Sequence, residues 1–109
     1  MSWNDRPAEL FRLDAATCRT LLAIHEVGRL VLPGSDPYVV PVNYVFEDHH
    51  VLLGTERRAV IEAALGHRVA FEVDMIDQRT RSGWSVVVRG VATELALDAA
   101  TGPEVAPTS

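Results

Sequence analysis

Three groups of residues in this chain have the types and spacing to do chemistry. Trp84 and Ser85 follow Gly83 in the stretch RTRSGWSVVVRG, placing an aromatic face and a hydroxyl at the start of what otherwise reads as a plain strand. Asn43 and Tyr44 put an amide and a phenol inside the apolar run YVVPVNYVFE, where a polar group has hydrogen bonds to satisfy. Thr55, Arg57 and Arg58 open a helical pattern. A capping hydroxyl, free amides at a helix start and nearby guanidinium groups together make a phosphate site. Each group also has a plainer reading: a tryptophan packed on the end of the core, a serine in solvent, two arginines on a solvated surface.

Other chemistry-bearing residues read as structural. Cys18 lies at helical spacing with Leu21 and Leu22 and packs as a small hydrophobe, with nothing beside it to stabilise a thiolate. His49 and His50 are adjacent, but neighbouring strand residues point to opposite faces and no third ligand stands at useful spacing, so no metal is expected.

The elements that position these residues follow from the pattern. Asp14 is an N-cap candidate, with Leu13 and Cys18 spaced as a hydrophobic staple, for a helix running toward Gly28, which would supply its left-handed end. His25 falls near that end, where the helix dipole favours it. RLVL reads as a short strand, and PGSDP reverses the chain. In the next strand Tyr38, Val40, Val42, Tyr44 and Phe46 share one face, and Val39, Pro41, Asn43, Val45 and Glu47 the other. Both faces are substantially apolar, which suggests burial on two sides or a face that meets another subunit. Pro41, lacking a donor, belongs at an edge or bulge. A hairpin tip at Asp48 to His50 leads to VLLG, and a second helix, with Thr55 as its cap, runs to Gly66. RVAFEVD alternates Val69, Phe71 and Val73 against Ala70, Glu72 and Asp74, and MIDQRTRSG reads as a loop before the strand that starts at Trp84.

This order of helix, three strands, helix and two long strands implies an antiparallel sheet in an α+β, mainly β protein, with a sheet able to close into a small barrel. The 109 residues make one domain, expected over residues 1–97, with 98–109 as a flexible C-terminal tail. A net charge of −5 argues against a nucleic-acid partner, which calls for a concentrated basic face. The single cysteine fits a reducing cytoplasm. No apolar run has the roughly 20 residues that cross a bilayer as a helix, so no membrane partner is expected.

Four stretches taken in order, GRLVL, YVVPVNYVF, RVAFEVDMID and SGWSVVVRGVA, resemble the pyridoxamine 5′-phosphate oxidase-like family of FMN-binding split barrels, within the small bacterial branch that includes nitroimidazole-resistance proteins. The resemblance covers about Leu21 to Ala96. It implies a six-stranded antiparallel split β-barrel that forms a homodimer with flavin at the subunit interface. It also implies that Val42, Asn43 and Tyr44 line the flavin ring, that Thr55, Arg57 and Arg58 are available to the FMN phosphate, and that Trp84 and Ser85 reach the flavin from their strand start.

Two departures qualify this resemblance. Relatives carry a longer phosphate segment with glycine and lysine where this chain has GTERRAV, and they continue past the point where this chain reads PEVAPTS, so the last strand is expected to be absent. The implied function is a flavin-dependent oxidoreductase acting on a small-molecule substrate, with no side chain marked as catalytic. The alternatives are a non-catalytic module for flavin, deazaflavin or haem, and a degenerate barrel without cofactor.

Overall fold

The computed structural model describes residues 12–94 and the backbone of 103–107. Helix α1 (Ala15–Ile24) is followed by strands β1 (Val27–Leu32), β2 (Tyr38–Glu47) and β3 (His50–Gly54), helix α2 (Arg58–Ala64), and strands β4 (Arg68–Asp77), β5 (Ser82–Glu94) and β6 (Pro103–Pro107). The strands close into a barrel in the order β1-β2-β3-β6-β5-β4, and every pairing is antiparallel. This is the expected antiparallel split-barrel class with two short helices.

The period-2 alternation decides what fills the barrel. Leu30 and Leu32 of β1, Val40, Val42 and Tyr44 of β2, Val51 and Leu53 of β3, Val69, Phe71 and Val73 of β4, and Val86, Val88 and Ala92 of β5 all point inward and are buried. Leu22 of α1 and Val60 and Ala64 of α2 complete that core. Among the described residues no charged side chain is buried. The phenol of Tyr44 meets its hydrogen-bonding need locally, donating to the Leu22 carbonyl at 2.6 Å and tying α1 to β2.

Local signals set the connections. Asp14 caps α1, its carboxylate accepting from the Thr17 amide at 2.7 Å. That bond is the main reason its pKa lies below the ordinary carboxylate value. The β2–β3 hairpin turns on Asp48 and His49, both with positive φ (53° and 64°), the signature of a type I′ turn. After α2, Gly66 takes the left-handed conformation (φ 78°) and donates to the Ala92 carbonyl at 2.8 Å.

Three expectations change. Helix α1 stops at Ile24 with His25 in extended conformation, and Gly28 instead lies in β1, where it is needed for close approach: a Cβ there would overlap the Phe71 ring and sit 2.9 Å from the Glu72 carbonyl. The supposed loop from Met75 to Gly83 is mostly ladder, since Met75 pairs with Trp84 and Ile76 with Gly83 around a four-residue turn at 78–81. That turn is held by Asp77, whose carboxylate accepts from the Arg79 amide at 2.9 Å.

The last strand is the third change. β6 forms within the expected tail and pairs with both β3 and β5, so the barrel has no missing strand. PEVAP read as a tail because prolines interrupt ladders, yet here they stand at the first and last positions of the strand, where a missing donor is tolerated. Residues 98–102 and 108–109 of the expected tail lie outside the described residues.

Phe71 is fully buried and meets Tyr44 edge-on at 4.7 Å between ring centroids. Phe71→Ala is expected to lower stability by about 3–5 kcal/mol in denaturant unfolding, and Gly28→Ala by about 1–3 kcal/mol through overpacking. Because the two side chains occupy adjoining space, the double variant should lose less than the sum. Additive losses would mean that Gly28 and Phe71 do not meet.

Candidate functional site

A mismatch between two ladders builds the site. β2 pairs with β1 along Tyr38 to Asn43, but with β3 only from Asn43 onward, where it meets Gly54. The first half of β2 therefore has no strand on its β3 side. Which groups point there follows from alternation. The Tyr44 amide donates to the Glu26 carbonyl on the β1 side, so Val42, Val40 and Tyr38 also direct their backbone groups at β1, while Val39, Pro41 and Asn43 direct theirs away from it. Pro41 thus has its missing donor on the open edge, where no ladder requires one. That edge presents the Val39 N–H and the carbonyls of Val39 and Pro41, one donor and two acceptors in a row.

The chain leaving β3 supplies the side chains near this edge. The Thr55 hydroxyl accepts from the Arg57 amide at 3.1 Å; Thr55 therefore makes a local turn, and Arg57, rather than Thr55, is the N-cap residue of α2. The Arg57 guanidinium donates from Nη2 to the Tyr38 hydroxyl at 3.1 Å. Arg57 accordingly reaches the end of the open edge far from Asn43. Arg58 begins α2 and is exposed.

A second cluster lies where α1 meets β1. An open groove of about 490 Å³ is lined by residues that include His25, Glu26, Arg29, Pro41, Asp74 and Met75. Behind it the His25 ring stands against Trp84, with centroids 5.1 Å apart and planes tilted by 52°. Arg29 Nη1 pairs with Glu72 Oε1 at 2.9 Å and Asp74 Oδ2 at 3.2 Å. Burial first, and then the hydrogen bond and charge of Asp74, push the Glu72 carboxyl above the ordinary carboxylate value, against the opposing pull of Arg29. Burial also raises the Tyr44 phenol.

The sequence-derived site residues fall into two groups on one chain. Asn43 stands at one end of the open edge of β2, opposite Gly54, Arg57 reaches the other end at Tyr38, and Thr55 and Arg58 belong to the same segment as Arg57. Trp84 and Ser85 sit on β5, which stands three places from β2 in either direction around the ring. There Trp84 is partly buried against the core, and Ser85 is exposed and paired with Asp74. Val42 and Tyr44 are corrections: both side chains are inside the barrel, at 5% and 4% exposure, and their backbone groups face β1. Neither presents a side chain or a backbone group to the open edge of β2.

The sequence reading placed Pro41 at an edge or bulge, as the unpaired side of β2 bears out, but missed Val39 beside it on that edge and Tyr38 as the partner of Arg57. Pro41 carried the only usable signal, since a proline within a strand pattern marks an unpaired side. Among the described residues no group of three histidine, cysteine, aspartate or glutamate side chains is placed to hold a metal ion, and no helix is long and apolar enough to cross a membrane.

The family model of pyridoxamine 5′-phosphate oxidase matches residues 14–106. The chain belongs to that family. It is 38% identical over 94 residues, 80% of its length, to the uncharacterized protein Rv0080 of Mycobacterium tuberculosis, and spans 62% of the length of that relative. Its fold is similar to that of an FAD-binding protein from Mycobacterium smegmatis, with a TM-score of 0.78, 34% identity and coverage of 89% of this chain and 90% of that one. An FAD-binding protein from Mesorhizobium loti shares the fold at a TM-score of 0.68 and 24% identity, covering 89% of this chain and 91% of that one.

The carboxylate pair gives a test of the electrostatics on the outer face. Glu72 holds its proton more tightly in the folded chain than in the unfolded one, so its contribution to stability falls as pH rises through its raised pKa. Asp74→Asn removes two causes of that elevation and should bring the Glu72 titration down, whereas Arg29→Ala should push it further up. Carboxyl-carbon NMR titrations read both shifts, and a Glu72 titration unmoved by either change would contradict the coupling.

Proposed function

We propose that this chain binds a flavin nucleotide, FMN, along the open edge of β2, and that as a homodimer it uses the flavin to transfer electrons or hydride to a small molecule. The observation that carries the reading is the unpaired edge itself. The pyrimidine side of an isoalloxazine ring carries an N–H beside a carbonyl, and the Val39 N–H and Val39 carbonyl stand side by side on the edge, so a ring carbonyl and the ring N–H each find a partner there. Asn43, exposed at the end of that edge, adds an amide. Arg57, with Thr55 fixing its backbone, is the cation for the phosphate, and Arg58 is adjacent to it. When bound, the flavin supplies the redox chemistry; the protein holds it, orients it and sets its charge environment.

The similarity to an FAD-binding protein supports a flavin as the ligand. FMN and FAD share the ring, the ribityl chain and the first phosphate, and the contacts named here address that shared part. FMN is the smaller flavin for which these contacts suffice.

The homodimer reading rests on two features of one chain. Val27, Val39 and Val45 stand 57–58% exposed on the outer face of β1 and β2, more apolar surface on one sheet face than solvent favours. Trp84 and Ser85 lie across the ring from the open edge, so they reach the flavin only if a second copy brings its own pair to it. Such a site is complete only in the dimer. Cys18, partly buried as a free thiol, suits the cytoplasm as the compartment.

Purified protein with the absorption of a bound flavin supports the reading, and reduction by a nicotinamide donor with turnover of a small acceptor separates an oxidoreductase from a flavin carrier. Arg57→Ala deletes a charge-assisted hydrogen bond and is expected to weaken FMN about 10- to 150-fold while leaving riboflavin unchanged. Equal FMN affinity in the variant and the parent would remove Arg57 from the phosphate contacts. Sedimentation should give a dimer at micromolar concentration, and a stable monomer would contradict the shared site.

A further inference from the structure

We infer that Tyr38 is a second phosphate ligand, forming with Arg57 a two-donor clamp for the flavin's phosphate, an inference that rests on the flavin reading above. The argument starts from what each arginine is bound to. Arg29 is held by two carboxylates, Glu72 and Asp74, so its charge is spent within the chain. Arg57 is held by a neutral phenol, at 3.1 Å. A phenol oxygen that accepts from a guanidinium orients that group without cancelling its charge, and keeps its own O–H free to donate.

The direction of the hydrogen bond matters. With Arg57 donating to the Tyr38 oxygen, the phenol proton is polarised and becomes a better donor to an anion placed beside the pair. Tyr38 is 46% exposed although it belongs to the inward-pointing series of β2, because it stands at the mouth of the barrel, opposite Leu32. Its hydroxyl is therefore accessible to a ligand, unlike that of Tyr44, which is buried and committed to the Leu22 carbonyl. The two tyrosines of one strand face have different work: Tyr44 fixes α1, and Tyr38 serves the ligand.

The clamp also accounts for how a shortened segment can hold a phosphate. GTERRAV carries no glycine and lysine beyond Gly54, and the second donor comes from β2 instead. The ligand chemistry is that of a phosphate attached to the ribityl chain, present in both FMN and FAD and absent from riboflavin.

The test is a fluorescence titration of the full-length protein and its Tyr38→Phe variant with FMN, FAD and riboflavin. Phenylalanine keeps the ring and removes only the hydroxyl, and unchanged riboflavin affinity reports an intact site. The clamp predicts that Tyr38→Phe weakens FMN and FAD by about 10- to 150-fold, the range for one hydrogen bond to a charged group, and leaves riboflavin as in the parent. Unchanged FMN and FAD affinities overturn the inference and leave the flavin reading standing. An equal loss for all three ligands also overturns it, since Tyr38 would then support the ring or the fold. A parent protein that binds none of the three overturns both readings together.

Discussion

The pairing of β2 is the constraint on which the rest of the structure depends. A strand with barrel neighbours on both sides has its backbone groups satisfied by ladders on both edges. β2 has that on the β1 side from Tyr38 to Asn43, but on the β3 side only beyond Asn43. The residue that makes this tolerable is Pro41, which lacks a donor where no partner strand would receive one. Because β3 ends at Gly54 and the chain then passes through Thr55 and Arg57 into α2, the open backbone edge and the cationic segment are products of the same early ending. Edge and cation are thus linked by covalent connectivity.

The interior fixes this arrangement from behind. Phe71 sits against Tyr44 and against the space left by Gly28, locking β1, β2 and β4 in register. Tyr44 in turn anchors α1 through the Leu22 carbonyl. With the inward face of β2 committed to packing from Val40 to Tyr44, its outward face, its open edge and Tyr38 at the barrel mouth remain for a ligand or a partner. The exposed valines on that outward face and the separation of β5 from β2 around the ring both favour a site assembled from two copies.

Much of the fold was legible in the sequence because period-2 alternation is a direct image of a barrel wall. Val69, Phe71 and Val73, and Val86 and Val88, are buried as their spacing requires. β6 was not legible, since two prolines in five residues match a tail as well as a strand whose ends need no donors. The length of the β4–β5 hairpin was obscured by the polar composition of its tip. For the site, the sequence singled out Asn43, which ends the open stretch of β2, and the segment of Thr55, Arg57 and Arg58, from which Arg57 reaches the other end. It placed Val42 and Tyr44 at the site too, because side-chain facing can be read from alternation but the direction of a strand's backbone groups depends on which neighbour is bonded. Arg57 meeting Tyr38, and Arg29 meeting Glu72 and Asp74, depend on register between distant strands, which no spacing within one segment reveals.

The central claim is that the open edge of β2 is where the flavin binds. Amide chemical shifts followed by nitrogen-15 NMR during FMN addition test it most directly. The account predicts that the largest changes fall at Val39, Asn43 and Thr55 to Arg58, with Trp84 and Ser85 moving as well if a second copy completes the site. Changes confined to the groove at the α1–β1 junction, from Ile24 to Arg29 with Asp74 and Met75, and none at Val39 or Arg57, would contradict it.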